Sequence, residues 1–166
     1  MWKRLPRTRN CFVCGAENPA GLDLEFQTDG RVVRGVWTPS AHLAGFLHTV
    51  HGGLTATVLD EVMTWVCGVV GGRFCYCAEM SVRYLAPVTP GEAHVLEARL
   101  TANRRGRIFT AEGVVRGPDG ERRAAATGKY LPIPEERLTA MLEDFLGDPA
   151  EVMAPVTEAG VGTKPA

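Results

Sequence analysis

The chain has 166 residues, 45% hydrophobic and 22% charged, which is globular composition and enough chain for one domain with a real core. Eighteen Lys and Arg against 19 Asp and Glu leave a formal net charge of −1, which excludes a protein held mainly by a phosphate backbone. No uncharged apolar run reaches the ~18–20 residues of a membrane span. The basic start MWKRLPRTRN has no apolar stretch behind it, so a secretory signal is not expected. The expected location is the cytoplasm, with neither nucleic acid nor membrane as a partner.

Residues 1–21 read as an irregular segment punctuated by Pro6, Gly15, Pro19 and Gly21. Leu22–Phe26 alternates apolar and polar, Asp29-Gly30 is a turn signal, and Val32–Trp37 reads as a second strand, making a hairpin. Residues 52–70 are the one long, unbroken, mostly apolar segment, too long for an ordinary strand; they read as a helix ended by Gly71-Gly72. Four strand-like runs follow over Cys75–Leu85, His94–Thr101, Ile108–Arg116 and Arg122–Leu131, separated by Pro and Gly breaks. Residues 134–146 carry Leu138, Met141, Leu142 and Phe145 at helical spacing, and 147–166 read as a loose tail. The order is β-β-α-β-β-β-β. A helix apolar over most of its circumference has to be covered nearly all round. One antiparallel sheet wrapped around one central helix, an α+β hot-dog fold over residues 22–133, meets that need.

Five cysteines are an odd count that argues against a disulfide framework. Cys11 and Cys14 form a CxxC and Cys75 and Cys77 a CxC. Structural zinc usually takes two CxxC-like knuckles, so the reading is reduced, partly buried thiols and no metal.

The predicted helix carries one polar stripe. At 100° per residue Gly53, Thr57, Asp60, Glu61 and Thr64 share about a 100° arc. A carboxylate there is costly to bury without partners. Asp60 either belongs to a structural polar network or holds, with Thr64 one turn on, a water or the attacked group of a substrate. Glu61, offset by one residue, is expected to face solvent or an interface edge. His51-Gly52-Gly53 opens the helix, where free N–H groups and the dipole favour negative charge and glycine admits a ligand close to the backbone. That is oxyanion-hole chemistry, with His51 shaping the turn. Gly52 and Asp60 lie ~12 Å apart along the axis, too far to reach one carbonyl from one helix. Two helices packed antiparallel would bring them together, so a twofold dimer with two composite sites is expected. Arg104-Arg105-Gly106-Arg107 reads as a solvated hairpin turn or a phosphate clamp.

These residues carry a resemblance. Gly45-Phe46, His51-Gly52-Gly53 and Leu59-Asp60-Glu61 resemble the signature of the PaaI-like branch of hot-dog acyl-CoA thioesterases, related to 4-hydroxybenzoyl-CoA thioesterase. The opening Cys11-Phe-Val-Cys-Gly15, the run Met80-Ser-Val-Arg-Tyr84-Leu-x-Pro87 and the Asp119-Gly120 turn resemble the same branch, which together covers roughly residues 11–131. The resemblance implies thioester hydrolysis to a free acid and coenzyme A. It implies Asp60, nine positions after His51, as general base or nucleophile, and the Gly52 N–H as oxyanion donor, oriented by His51. Thr64 would position water. Gly53, Phe46 and Glu61 would border the substrate, with Arg104 and Arg105 near the coenzyme A phosphates. It implies a homodimer, possibly a dimer of dimers, and no cofactor beyond the coenzyme A of the substrate. A non-catalytic acyl-CoA sensor on the same fold is the alternative. A hydratase is disfavoured because His51 and Asp60 have the wrong spacing, and a purely structural dimerisation domain would have no reason for Gly-Gly and Asp at these positions.

Overall fold

The computed structural model describes residues 1–155. Strands β1 (Lys3–Arg4), β2 (Arg7–Thr8), β3 (Phe26–Thr28), β4 (Val32–Trp37), β5 (Ala44–Phe46) and β6 (Thr49–Val50) precede helix α1 (Gly52–Gly71). After it come β7 (Cys75–Tyr84), β8 (His94–Arg104), β9 (Ile108–Arg116), β10 (Arg122–Pro132), α2 (Glu135–Leu142) and β11 (Phe145–Leu146). Seven strands form one antiparallel sheet in the order β1-β3-β4-β8-β9-β10-β7, wrapped around α1. This is the hot-dog plan.

The sheet follows period 2. In β9, Phe109, Ala111 and Val115 are fully buried against the helix, while the residues between them turn outward. Small residues set the spacing under α1. A Cβ on Gly113 would lie 3.1 Å from Leu59 Cδ2 and from Met63 Cγ, so glycine there lets the helix settle onto the sheet. The helix meets this face with Val58, Leu59, Val62, Met63, Val66 and Cys67, all fully buried at i, i+3, i+4 spacing. It ends at Gly72, whose φ of 75° is the left-handed cap that glycine supplies, with its N–H on the Gly68 carbonyl at 2.9 Å. By length and mean hydropathy α1 would suffice for a membrane span, but its apolar faces are spent on the sheet.

The ends of the chain depart from the sequence reading. The 1–21 segment is not wholly irregular: β1 pairs with β3, and β2 pairs with β11. The first strand of the hairpin starts at Phe26 rather than Leu22, because the stretch before it is bonded back to the N-terminal segment, Leu22 N–H to Phe12 O and Leu24 N–H to Val13 O. The expected helix over 134–146 stops at Leu142, and Phe145 instead packs on Trp65 and Phe74, with ring centroids 5.8 Å and 5.4 Å away. Residues 147–155 are not loose. Pro149 is buried in a 3₁₀ turn and the Ala154 N–H bonds the Val69 carbonyl at 2.8 Å. The rest of the expected tail, 156–166, lies outside the described residues.

Candidate active site

The start of α1 is shaped by its cap. His51 has φ −57° and ψ 129°, outside the helix, and its Nδ1 accepts the Gly53 N–H at 3.0 Å. The neutral ring then carries its proton on Nε2. The Leu54 and Thr55 N–H groups bond the His51 carbonyl. The Gly52 N–H is left without a hydrogen-bond partner among the described residues, at the positive end of a 20-residue helix. Two hydroxyls steady this turn: Tyr84 donates to the Gly52 carbonyl at 2.9 Å and Thr57 to the Gly53 carbonyl at 2.8 Å. The turn borders an open groove of about 540 Å³, lined by Phe46, Thr49, Gly52, Thr55, Tyr84 and Leu85 among others. Phe46 stands on its rim, 83% exposed.

Asp60 lies two turns further on, half-buried. Its Oδ1 accepts the Tyr130 hydroxyl at 3.0 Å. Tyr130 is fully buried on β10 and pairs across the sheet with Cys77, beside a register shift between Lys129 and Tyr130. Burial first, and then the Asp60 charge, push the Tyr130 hydroxyl far up, so it stays a donor. The Cys77 thiol is raised by the same two causes in the same order. Gly128 makes room for the ring, since a Cβ there would lie 2.6 Å from Tyr130 Cε2. Thr64 is half-buried one turn beyond Asp60, as its position in the stripe requires.

The structure gathers Phe46, His51, Gly52 and Gly53 at one end of α1 and Asp60 with Thr64 in its middle. Within one chain these groups remain ~12 Å apart along the axis. Glu61 corrects the sequence reading. It is half-buried and turns to Cys11, with Sγ 3.7 Å and 3.6 Å from its two carboxylate oxygens. Arg104 and Arg105 are exposed on the β8–β9 turn, which neighbours Arg73 past the far end of α1 from Gly52. Trp65 is buried in the Phe74–Phe145 cluster, away from the groove. Sequence reasoning missed Tyr130 and Cys77 beside Asp60. A depression of about 460 Å³ on the outer sheet face is lined by Arg83, Glu97, Arg99, Glu112 and Arg116. Its Arg99–Glu112 pair at 2.8 Å is a solvated ion pair remote from these groups.

Residues 47–122 match the thioesterase superfamily. No curated protein matches the chain. A crystal structure of a thioesterase superfamily protein is similar at 31% identity and a TM-score of 0.67, covering 74% of this chain and 60% of that one. The chain therefore spans about three fifths of that relative's length. The Escherichia coli PaaI protein from the phenylacetic acid degradation operon aligns at 16% identity and a TM-score of 0.62, covering 68% of this chain and 81% of its own. A Streptococcus mutans protein bound to acetyl-CoA aligns at 15% identity and a TM-score of 0.61, covering 66% of this chain and 88% of its own. The last two carry the fold alone. The matched superfamily pattern runs through the helix that bears Gly52 and Asp60 and the strand that bears Tyr84; this stretch is similar to the thioesterase superfamily, and the chain shares the hot-dog fold of these solved structures.

Proposed function

We propose that the protein is an acyl-CoA thioesterase that works as a twofold dimer, each site taking Gly52 from one protomer and Asp60 from the other. The observation that carries the reading is the helix start. His51 occupies the Gly53 N–H and leaves the Gly52 N–H free over an apolar groove. A free, fixed N–H at a helix N-terminus is suited to the negative charge that develops on a thioester oxygen.

The dimer follows from the edge of the sheet. β7 is a ten-residue edge strand, mostly exposed, with Tyr76, Tyr84 and Leu85 standing open. Long exposed edges of this kind pair with another strand. Two β7 strands paired antiparallel about a twofold axis would continue the sheet and set the two α1 helices antiparallel. Asp60 lies on the β7 side of its helix, near Cys77. A carboxylate there can face the partner's Gly52.

The mechanism follows from these groups. The acyl chain enters the groove beside Phe46. The Gly52 N–H binds the thioester oxygen. Asp60, oriented by the Tyr130 hydroxyl, takes a proton from water as the water attacks the carbonyl, or attacks it directly to give an anhydride that water then hydrolyses to the free acid. The carbon–sulfur bond breaks and coenzyme A leaves as the thiolate. His51, Tyr130 and Thr64 are positioning residues, and Gly53 serves by engaging His51. Arg104 and Arg105 are placed to meet coenzyme A phosphates only if these run toward the β8–β9 turn. The test is a thiol-release assay over short, medium, long and aromatic acyl-CoAs with wild type and Asp60→Asn. The expected result is hydrolysis that the substitution cuts by about 100-fold or more. Binding of acyl-CoA without turnover would make the protein a sensor and overturn the reading.

A further inference from the structure

Glu61 is one residue from Asp60 yet belongs to a different cluster. Cys11, Cys14 and Glu61 each offer one ligand atom, and these atoms lie within 4.8 Å of one another. The cysteines come from a tight N-terminal turn and the carboxylate from the middle of α1, 50 residues away. The turn has the build of a metal knuckle. The Val13 N–H points at Cys11 Sγ at 3.3 Å, and the Gly15 N–H bonds the Cys11 carbonyl at 2.9 Å. The Thr8 side chain meets both cysteines, accepting the Cys11 N–H at 3.2 Å and lying 3.7 Å from Cys14 Sγ. Gly15 closes the turn, because a Cβ there would lie 2.3 Å from the Cys11 carbonyl oxygen.

We propose that Cys11, Cys14 and Glu61 bind one zinc ion, with water in the fourth position, and so clip the N-terminal segment to the central helix.

Two arguments carry this. The first is distance. Zinc holds thiolate at ~2.3 Å and carboxylate oxygen at ~2.0–2.2 Å, and tetrahedral angles then separate sulfur from oxygen by ~3.6 Å. The Cys11 sulfur lies 3.6 Å and 3.7 Å from the two Glu61 oxygens. The second is charge. Three groups that become anions converge in a part-buried site. No Lys, Arg or His pairs with Glu61 among the described residues. The nearby Arg7 is spent on the Cys14 carbonyl and on Asp23. Anions crowded without a counter-charge are costly in a low-dielectric site, and a divalent cation supplies the missing charge. Soft thiolates with one carboxylate select zinc over magnesium or calcium. The remaining buried thiol pair, Cys67 with Cys75, is separate from this site, and Cys77 stands beside Asp60.

The test measures zinc in the full-length protein, reduced and then dialysed with zinc chloride, by elemental analysis and by competition with a chromophoric chelator. Cobalt loading gives a second readout, since a cobalt–thiolate charge-transfer band reports sulfur ligation directly in the wild type. The expected result is one zinc per chain and a thiolate band. Cys11→Ser and Cys14→Ser abolish both. Glu61→Gln weakens zinc by more than the ~10–100-fold that losing an outer-shell partner costs. Cys67→Ser and Cys77→Ser retain one zinc. Sub-stoichiometric zinc with no thiolate band in folded, reduced wild type overturns the proposal, as does a Glu61→Gln variant that binds zinc as tightly as wild type. Recovery of Cys11 and Cys14 as a disulfide that re-forms in the presence of zinc also overturns it and makes the pair a redox couple.

Discussion

Replacing Gly52 by proline removes the N–H on which the proposed oxyanion site depends, and the structure indicates that it removes little else. Gly52 is the first residue of α1, the helical position where proline is best tolerated because its missing N–H has no intrahelical partner. Proline also restricts the residue before it to extended backbone, and His51 already sits at φ −57° and ψ 129°. A Cβ at Gly52 would meet the Tyr84 ring at 3.4 Å, an ordinary contact. Gly-to-Pro replacement at such a site restricts the unfolded chain, so stability should hold or rise by up to ~1 kcal/mol. Loss of one oxyanion donor costs about 10²–10³ in rate. Gly52→Pro should therefore keep its melting temperature and lose about 100–1,000-fold in kcat for acyl-CoA hydrolysis. Gly52→Ala, which keeps the N–H, should stay within a few-fold of wild type. A Gly52→Pro variant with full thiol-release activity would refute the assignment of this N–H.

Other expectations follow from the same contacts. His51→Ala loses the cap on the Gly53 N–H and should cost about 1 kcal/mol in urea unfolding; an unchanged midpoint would deny the cap. Tyr130→Phe removes the hydroxyl that holds Asp60. A hydrogen bond to a charged group is worth ~1.5–3 kcal/mol, so kcat should fall about tenfold or more with KM little changed, and a change confined to KM would contradict a positioning role. Gly113→Val drives two methyls toward Leu59 and Met63 and should destabilise by ~1–3 kcal/mol in thermal unfolding; a melting temperature at the wild-type value would show that α1 does not rest on this position.

The helix and the sheet were legible because their signals are local. Residues 52–70 form an unbroken apolar run stopped by Gly71-Gly72, and Asp29-Gly30 and Gly117–Gly120 mark hairpins by their turn chemistry. His51 and Gly52 were legible for the same reason, since a cap and a helix start are adjacent in sequence. Tyr130 was not. Alternation places it inward, but nothing local says that its hydroxyl meets a carboxylate 70 residues away. Glu61 was misread because a helical wheel separates it from Asp60 by only 100°, while its true direction is set by where the N-terminal turn packs. The β2–β11 pair was invisible because two-residue strands have no period to read.

The central claim is that one site is shared by two chains, and complementation between inactive variants tests it most directly. Gly52→Pro and Asp60→Asn are mixed, denatured together, refolded and assayed for thiol release against each variant refolded alone. In a mixed dimer one site carries both lesions and the other carries neither. Random pairing makes half the dimers mixed, so about a quarter of wild-type activity should return. A mixture as inactive as its parents, with mixed dimers verified by mass, would contradict the shared site and place both groups within a single chain.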